Sequence, residues 1–340
     1  MASTLYINGR FRAQKLSGVQ RFATEITAAL QAVDADRVVV LAPRGSPGRW
    51  RAQLWEQMEL PAQVAGGVLI NLGNMAPVRV RRQLVVLHDA GVFATPQAYS
   101  WQLRLWYKHV HRQLAGRAAR IVTVSAFARD ELSRTLGVPA GAIAVISEGA
   151  DHMAGITADP AILRKLPTDG FVLAVGNLAA HKNLSALGTL AAALAARAMS
   201  LVITGGLAAG PFRHGSALPQ PACYLGRVSD AELKALYQAA RCLVFPSLYE
   251  GFGLPAIEAM TCSCPVAASR IPAIQETCAD AALYFDPASS TDIAGQVSRL
   301  IDNAALRQSL RQAGLARATG FTWARAAAQL AAIADSIPEP

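Results

Sequence analysis

The stretch Phe245-Pro246-Ser247-Leu248-Tyr249-Glu250-Gly251-Phe252-Gly253-Leu254-Pro255-Ala256-Ile257-Glu258-Ala259-Met260 decides how the chain is read. An apolar run ending at Phe245 enters a loop with two glycines, and an apolar helical pattern over 254–261 leaves it. Pro255 suits the first helical turn, where its missing N–H is no loss. The unpaired N–H groups of such a helix start can hold a diphosphate, and Gly251 and Gly253 let the backbone approach it. Glu250 and Glu258 stand eight positions apart, one on the loop and one in the helix. Two carboxylates beside an anion site make sense as acceptors of hydrogen bonds from sugar hydroxyls. The spacing alone fits equally a plain strand–turn–helix with solvated glutamates.

Outward from this stretch, short apolar runs alternate with helical patterns along the whole chain. The runs are 5–8, 37–42, 68–71, 83–88, 121–124 and 144–147, then 171–175, 200–204, 222–224, 241–245, 265–268 and 282–285. Helices are expected over 19–33, 97–115, 126–136, 184–198, 230–240, 254–261, 291–303, 305–318 and 323–335. Strands alternating with helices predict parallel sheets covered on both faces. The pattern restarts after 151–169, a stretch with Gly155, Pro160 and Pro167 that reads as a linker. The expected architecture is α/β, with two Rossmann-like doubly wound domains and ligands at the carboxyl ends of the strands.

Composition narrows the class. The chain has 340 residues, 52% hydrophobic and 16% charged, too apolar for a disordered protein and, at roughly 150 residues per domain, long enough for two. Five cysteines without a CxxC pair argue against a disulfide framework or a zinc site and for a reducing compartment. The first residues lack a basic start and an apolar signal region, and no stretch reaches the ~18 apolar residues of a membrane span. The net charge of +9 is unevenly placed. Residues 1–150 carry 18 Lys and Arg against 9 Asp and Glu, whereas residues 151–340 carry 14 of each. The first half therefore faces something anionic: nucleic acid, a lipid surface or a phosphorylated substrate.

The segment 245–260 resembles the signature of the family 4 retaining glycosyltransferases of the GT-B fold, whose Glu-x7-Glu pair matches Glu250 and Glu258. Three further elements follow that family's order. Leu16-Ser17-Gly18-Val19-Gln20-Arg21 resembles its N-terminal glycine loop, Val86-Leu87-His88-Asp89 its His-Asp strand end, and Val175-Gly176-Asn177-Leu178-Ala179-Ala180-His181-Lys182-Asn183-Leu184 its basic donor-phosphate loop. Trp55-Glu56-Gln57 and Thr123-Val124-Ser125-Ala126-Phe127 are similar to bacterial polysaccharide-assembly members, often mannosyltransferases.

The resemblance implies two domains facing across a cleft: an acceptor domain over 1–160, a donor domain over 161–322, and a final helix, 323–340, crossing back to the first. It implies that Lys182 pairs with the donor diphosphate, that Glu250 contacts the transferred hexose, and that Glu258 grips the ribose. Asn177, Gly251, Phe252, Gly253 and Leu254 would complete the donor site. His88 would stand at the sugar's 6-hydroxyl, and Gly18 would let its loop close over the phosphates. The expected reaction is hexose transfer from a nucleotide-sugar, GDP-mannose before a UDP-hexose, to a lipid-linked or polysaccharide-precursor acceptor. It proceeds with retention, without a metal or other cofactor, and without the dedicated nucleophile of paired-carboxylate glycosidases.

The chain departs from the family pattern in places. Asn177 stands near the position of an expected arginine, Ser263 replaces glycine in Cys262-Ser263-Cys264-Pro265, Gln275-Glu276 replaces Pro-Glu, and Glu148-Gly149-Ala150-Asp151 replaces Asn-Gly-x-Asp. These changes leave open a non-catalytic homologue that scaffolds a polysaccharide-assembly complex. A hydrolase or epimerase would need a second acid opposite Glu250, which the sequence does not offer. Gly205–Gly210 lacks the Lys-Ser/Thr of a P-loop. His109 and His111, on a basic helix, read as surface residues.

The basic excess has two candidate carriers. Arg104, Lys108 and Arg112 recur on one helical face among Trp101, Trp106 and Tyr107, and Arg49, Trp50, Arg51 and Trp55 form a second cluster. Such helices suit an anionic membrane surface, each basic residue contributing on the order of 1 kcal/mol. Nucleic acid is disfavoured because no recognition module accompanies the charge. The expected location is cytoplasmic, peripheral on the inner face of the membrane.

Overall fold

The computed structural model describes residues 3–14, 16–45, 48–96, 100–118, 120–168, 170–206 and 217–339. The chain divides into two compact units. The first takes the chain up to Ala94, then Gln102–Gly149 and the part from Thr322 on; the second takes Thr95–Trp101 and Ala150–Phe321. Residues 150–160, read from sequence as part of the N-terminal domain, thus belong with the second unit.

In the first unit, β1 (Leu5–Asn8), β2 (Val38–Leu41), β3 (Val68–Asn71), β4 (Gln83–Val86), β5 (Arg120–Thr123) and β6 (Ile143–Val145) form a parallel sheet ordered β2-β1-β3-β4-β5-β6. Every residue of β3 and β4 is buried, as expected of strands covered on both faces. Helix Gly18–Val33 buries Phe22, Ala23, Ile26, Thr27 and Leu30, one stripe of its surface. Against it packs the final helix, Trp323–Asp335, through a face of Trp323, Ala326, Ala327, Leu330 and Ala334, whose small side chains allow close approach. Gly9, just after β1, is required by the close approach of the end of β2: a Cβ there would lie 2.8 Å from the Leu41 carbonyl oxygen.

In the second unit, β7 (Phe171–Val175), β8 (Ser200–Thr204), β9 (Cys223–Gly226), β10 (Leu243–Phe245), β11 (Val266–Ser269) and β12 (Ala282–Phe285) form a parallel sheet ordered β12-β11-β10-β7-β8-β9. Side chains of Ser229, Ser289 and Asn303 cap the helices that follow them, Ser229 in a reciprocal capping box with Glu232. In both sheets the chain winds outward from a central strand and then crosses to that strand's other side. The splits fall between β1 and β3 and between β7 and β10. Crevices for ligands open at such switch points, beyond the carboxyl ends of the strands.

Each of the twelve apolar runs is a strand, and the fold class is the α/β, GT-B type expected. Several local expectations need correction. The stretch read as a linker holds a short helix, His152–Gly155, and a 3-10 turn, Pro160–Lys165, anchored on helix Asp230–Ala239 by Lys234, which donates to the Ile156 carbonyl (2.6 Å). Gly155 and Pro160 bound these two turns instead of loosening the chain, and Asp169 lies outside the described residues. The helix expected from 97 runs Trp101–Arg117, with 97–99 outside the described residues. Arg49–Gln63 is helical, with a π turn at Trp55–Glu59, and Pro272–Cys278 is a helix; neither shows in the apolar periodicity.

His111 is buried, not on the surface. Its Nε2 lies 2.8 Å from the Asn74 carbonyl, and burial pushes the imidazole down against the upward pull of that carbonyl and of Asp89. Trp55 is buried too, in the cluster with Leu60 and Leu69. Lys108 lies over the Phe93 ring. All five cysteines are free, and four are buried.

Candidate functional site

The loops beyond β7 and β10 are tied together at the split of the second sheet. Asn183 adopts a left-handed conformation after the 3-10 turn Ala180–Lys182. From there its Nδ2 donates to the carbonyls of Pro246 (3.1 Å) and Pro287 (2.9 Å), and the Leu248 N–H donates to the His181 carbonyl (2.8 Å). This stitching brings Lys182 to Glu250, 68 positions away: Nζ donates to Oε1 at 2.6 Å. The Phe245 ring lies 5.6 Å from the same Nζ. The lysine stem passes over Gly176, where an added Cβ would make only ordinary contact with its Cδ at 3.5 Å. Burial pushes the Glu250 carboxyl up, but the charges of Lys182 and His181 and the bond from Lys182 outweigh it and hold it below the ordinary value.

Asn177 turns its amide oxygen back into the loop, where it accepts from the Ala179 N–H (3.3 Å). Gly251 is buried, and Phe252 and Leu254 bury their side chains, Phe252 against Phe321 with ring centroids 5.6 Å apart. What these residues offer a ligand is backbone. Gly253 caps helix Leu254–Thr261 at φ +105°, and a Cβ there would run into Ile274, so the turn needs glycine twice over. The Thr277 hydroxyl holds the preceding carbonyl of Phe252 (2.8 Å).

Glu258 is 7% exposed and held from two sides. The Tyr237 hydroxyl donates to Oε2 (3.3 Å), and His152 Nε2 lies 3.3 Å from Oε1. Burial pushes the Tyr237 hydroxyl well above its ordinary range, and the adjacent Glu258 charge adds to this, so it stays a donor. Neither His152 nor Tyr237 was singled out from sequence. His152 lay in the supposed linker, and Tyr237 carries no signal beyond its place on a helix.

In the first unit His88 is buried beyond the end of β4. Its N–H donates to Asn74 Oδ1 (2.7 Å), Nε2 lies 3.0 Å from the Leu72 carbonyl, and Nδ1 lies 3.4 Å from Glu148 Oε1. The Phe22 ring meets it edge-on at 4.8 Å. Both ring nitrogens face protein oxygens, so a sugar hydroxyl there would share or replace one of these partners. Glu148 was noted in sequence only as a departure from a turn pattern. Gly18, the first residue of its helix, is exposed, with open space where a Cβ would go. Of the glycine run 205–210, residues 207–210 lie outside the described residues.

A second polar cluster marks the split of the first sheet. Glu56 is 1% exposed; Arg10 Nη1 lies 3.0 Å from its Oε2, and Asn8 Nδ2 donates to its Oε1 (2.8 Å). Asn8 also donates to Asn71 Oδ1 (3.0 Å), and Asn71 donates to Gln83 Oε1 (2.9 Å). The neighbouring Gln57 bridges the Ala76 carbonyl and the Val78 N–H.

Residues 156–317 match the family model described as glycosyl transferases group 1, and residues 75–153 match glycosyltransferase family 4. O-antigen chain mannosyltransferase B of Escherichia coli is 32% identical over 272 residues, covering 73% of this chain and 68% of that protein. O-antigen chain mannosyltransferase RfbU of Salmonella typhimurium is 28% identical over 233 residues, covering 65% and 63%. Anabaena Alr3699/HepE, solved in complex with UDP and glucose, shares the fold with a TM-score of 0.73 at 18% identity, covering 99% of this chain and all of that one.

Proposed function

This chain belongs to the family 4 glycosyltransferases, and on that premise we propose that it moves a hexose from a nucleotide-sugar held by its second unit to a saccharide acceptor held by its first, with retention at the anomeric carbon. The observation that carries the reading is the Lys182–Glu250 pair at the β7/β10 split, beside the helix start capped by Gly253. A cation beside a helix start suits a diphosphate whose charge grows as it leaves. In this reading Lys182 turns from Glu250 to the diphosphate and stabilises the departing charge. Glu250, released, accepts from the hexose hydroxyls. Glu258, braced by Tyr237 and His152, accepts from the ribose. His88 acts near the transferred sugar and Gly18 near the phosphates. The leaving phosphate helps deprotonate the acceptor hydroxyl on the same sugar face, and no step is assigned to a metal.

GDP-mannose is the donor favoured by the two relatives named mannosyltransferases; the UDP and glucose bound to the Anabaena structure favour a UDP-hexose next. A lipid-linked acceptor at the inner face of the membrane fits the basic first half. Trp50, Leu54 and Met58 are 72%, 62% and 59% exposed at four-residue spacing, beside exposed Arg51. Trp101 and Leu105 are exposed on the second basic helix. No helix among the described residues is long and apolar enough to cross a membrane.

A thermal-shift panel of nucleotides and nucleotide-sugars, followed by assignment of the product's anomeric configuration by NMR, tests the proposal. Stabilisation by one nucleotide-sugar and a retained anomer are expected. No stabilisation by any donor, or an inverted product, overturns it. Sedimentation with anionic against neutral liposomes tests the membrane reading; equal pelleting refutes it.

A further inference from the structure

We infer that Asn74 is a positioning residue that seats His88, and that the buried His111 acts through it by holding Asn74 to helix Trp101–Arg117. The inference rests on the reading that His88 acts near the transferred sugar, and it names what fixes His88 there.

His88 stands two residues beyond β4, and the four backbone groups from the Val86 carbonyl to the His88 N–H are all taken. The β5 side holds the middle two. The Val122 carbonyl accepts from the Leu87 N–H (2.8 Å), and the Thr123 hydroxyl donates to the Leu87 carbonyl (2.6 Å). Asn74 holds the outer two: its N–H donates to the Val86 carbonyl (3.2 Å), and its Oδ1 accepts from the His88 N–H (2.7 Å). It does so from φ +63°, the left-handed region that asparagine tolerates better than most residues. The same loop also meets the ring, since the Leu72 carbonyl lies 3.0 Å from Nε2.

The loop is held in turn from behind. His111 Nε2 lies 2.8 Å from the Asn74 carbonyl. Burial keeps this imidazole neutral and a carbonyl can only accept, so the ring proton sits on Nε2. Nδ1 is then a buried acceptor with no hydrogen-bond partner among the described residues, a cost that a phenylalanine ring would not carry. What the imidazole adds over an apolar ring is one N–H on the Asn74 carbonyl. With its N–H held by Val86 and its carbonyl by His111, both backbone torsions of Asn74 are set, and with them the direction of its side chain.

The test uses the full chain. Asn74→Gly keeps the left-handed turn and removes the acceptor, and His111→Phe keeps a ring between Phe93 and Tyr107 and removes the donor. Turnover is read as release of nucleoside diphosphate from GDP-mannose or UDP-glucose, with methyl α-mannoside as acceptor. Asn74→Gly should lower kcat about tenfold and His111→Phe about threefold, with donor KM within about twofold of wild type. Neither should lower kcat further in a His88→Ala background, which a merely structural loss would do. An unchanged kcat in Asn74→Gly, the same fold-loss with and without His88, or a His88→Ala variant as active as wild type overturns the inference. Hydrogen exchange at the His88 amide keeps the seat and the transfer reading apart. It should quicken about tenfold in Asn74→Gly and also rise in His111→Phe. Quickened exchange in a protein that turns over neither donor upholds the seat and refutes the transfer reading. Unchanged exchange refutes the seat whether or not transfer occurs.

Discussion

At the split of the first sheet an arginine meets a glutamate that is almost wholly buried; at the split of the second, a lysine meets a glutamate carried on a loop. Topology makes both places alike, yet the two pairs are built for different work. Arg10 and Asn8 hold Glu56 through a chain of amides that runs into β3 and β4, so the pair is locked into the sheet. Lys182 and Glu250 sit on loops stitched to each other rather than in the sheet. A lysine is a point charge on a flexible stem and can be redirected, whereas an arginine fork is set by its geometry. The environments drive the carboxyls apart as well: Glu250 is held below its ordinary value and Glu56 is pushed above it. One site is poised to exchange its partner for an incoming charge. The other is a fixed, charge-balanced cluster buried at the sheet.

This contrast can be broken in several ways. Lys182→Ala should lower turnover by about 10²- to 10³-fold, the loss typical of removing one transition-state charge stabiliser, in a steady-state assay with the cognate donor. A loss no larger than that of nucleotide affinity would make Lys182 a binding residue only. Arg10→Leu should act on the fold instead, lowering unfolding free energy by about 3 kcal/mol in urea titrations because Glu56 is left buried without its counter-charge. An unchanged midpoint would mean that the pair is not locked. Glu258→Ala should weaken nucleotide binding about tenfold by calorimetry, with Tyr237→Phe giving a smaller share of the same loss.

The smallest effect separates the two carboxyls by sign. Glu250, with its folded value below 4.5, contributes stability that is present above 4.5 and lost as pH falls through the folded value. Glu56, with its folded value above 4.5, takes up its proton earlier in the folded state, so stability rises as pH falls through that value. Against wild type, Glu250→Gln and Glu56→Gln should therefore show stability differences of opposite slope in acid. Parallel slopes would erase the distinction between the pairs.

Much of the fold was legible because a parallel strand covered on both faces reads as an unbroken apolar run; β3 and β4 are buried at every residue and were found at their positions. Polar residues were harder. His111 read as a surface residue on a basic helix, yet the Asn74 carbonyl draws it into the core. His152 read as part of a linker, yet it lies against Glu258. Periodicity records the average polarity of a face and is silent about one polar side chain that finds a partner inside.

The same limit divides the candidate sites. The sequence alone determined twelve strands in two groups, the glycine at the start of helix Leu254–Thr261, the basic first half, and the separate identities of Lys182, Glu250, Glu258 and His88. Those follow from local chemistry: apolar runs, backbone freedom and charge. Only the tertiary structure decided that Lys182 meets Glu250, that Tyr237 and His152 brace Glu258, that Glu148 lies against His88, and that Arg10 meets Glu56 where β1 and β3 part. Those pairings span from 21 to 106 positions of chain. They exist because the order of strands in each sheet brings distant loops to one edge, and no local pattern encodes that order.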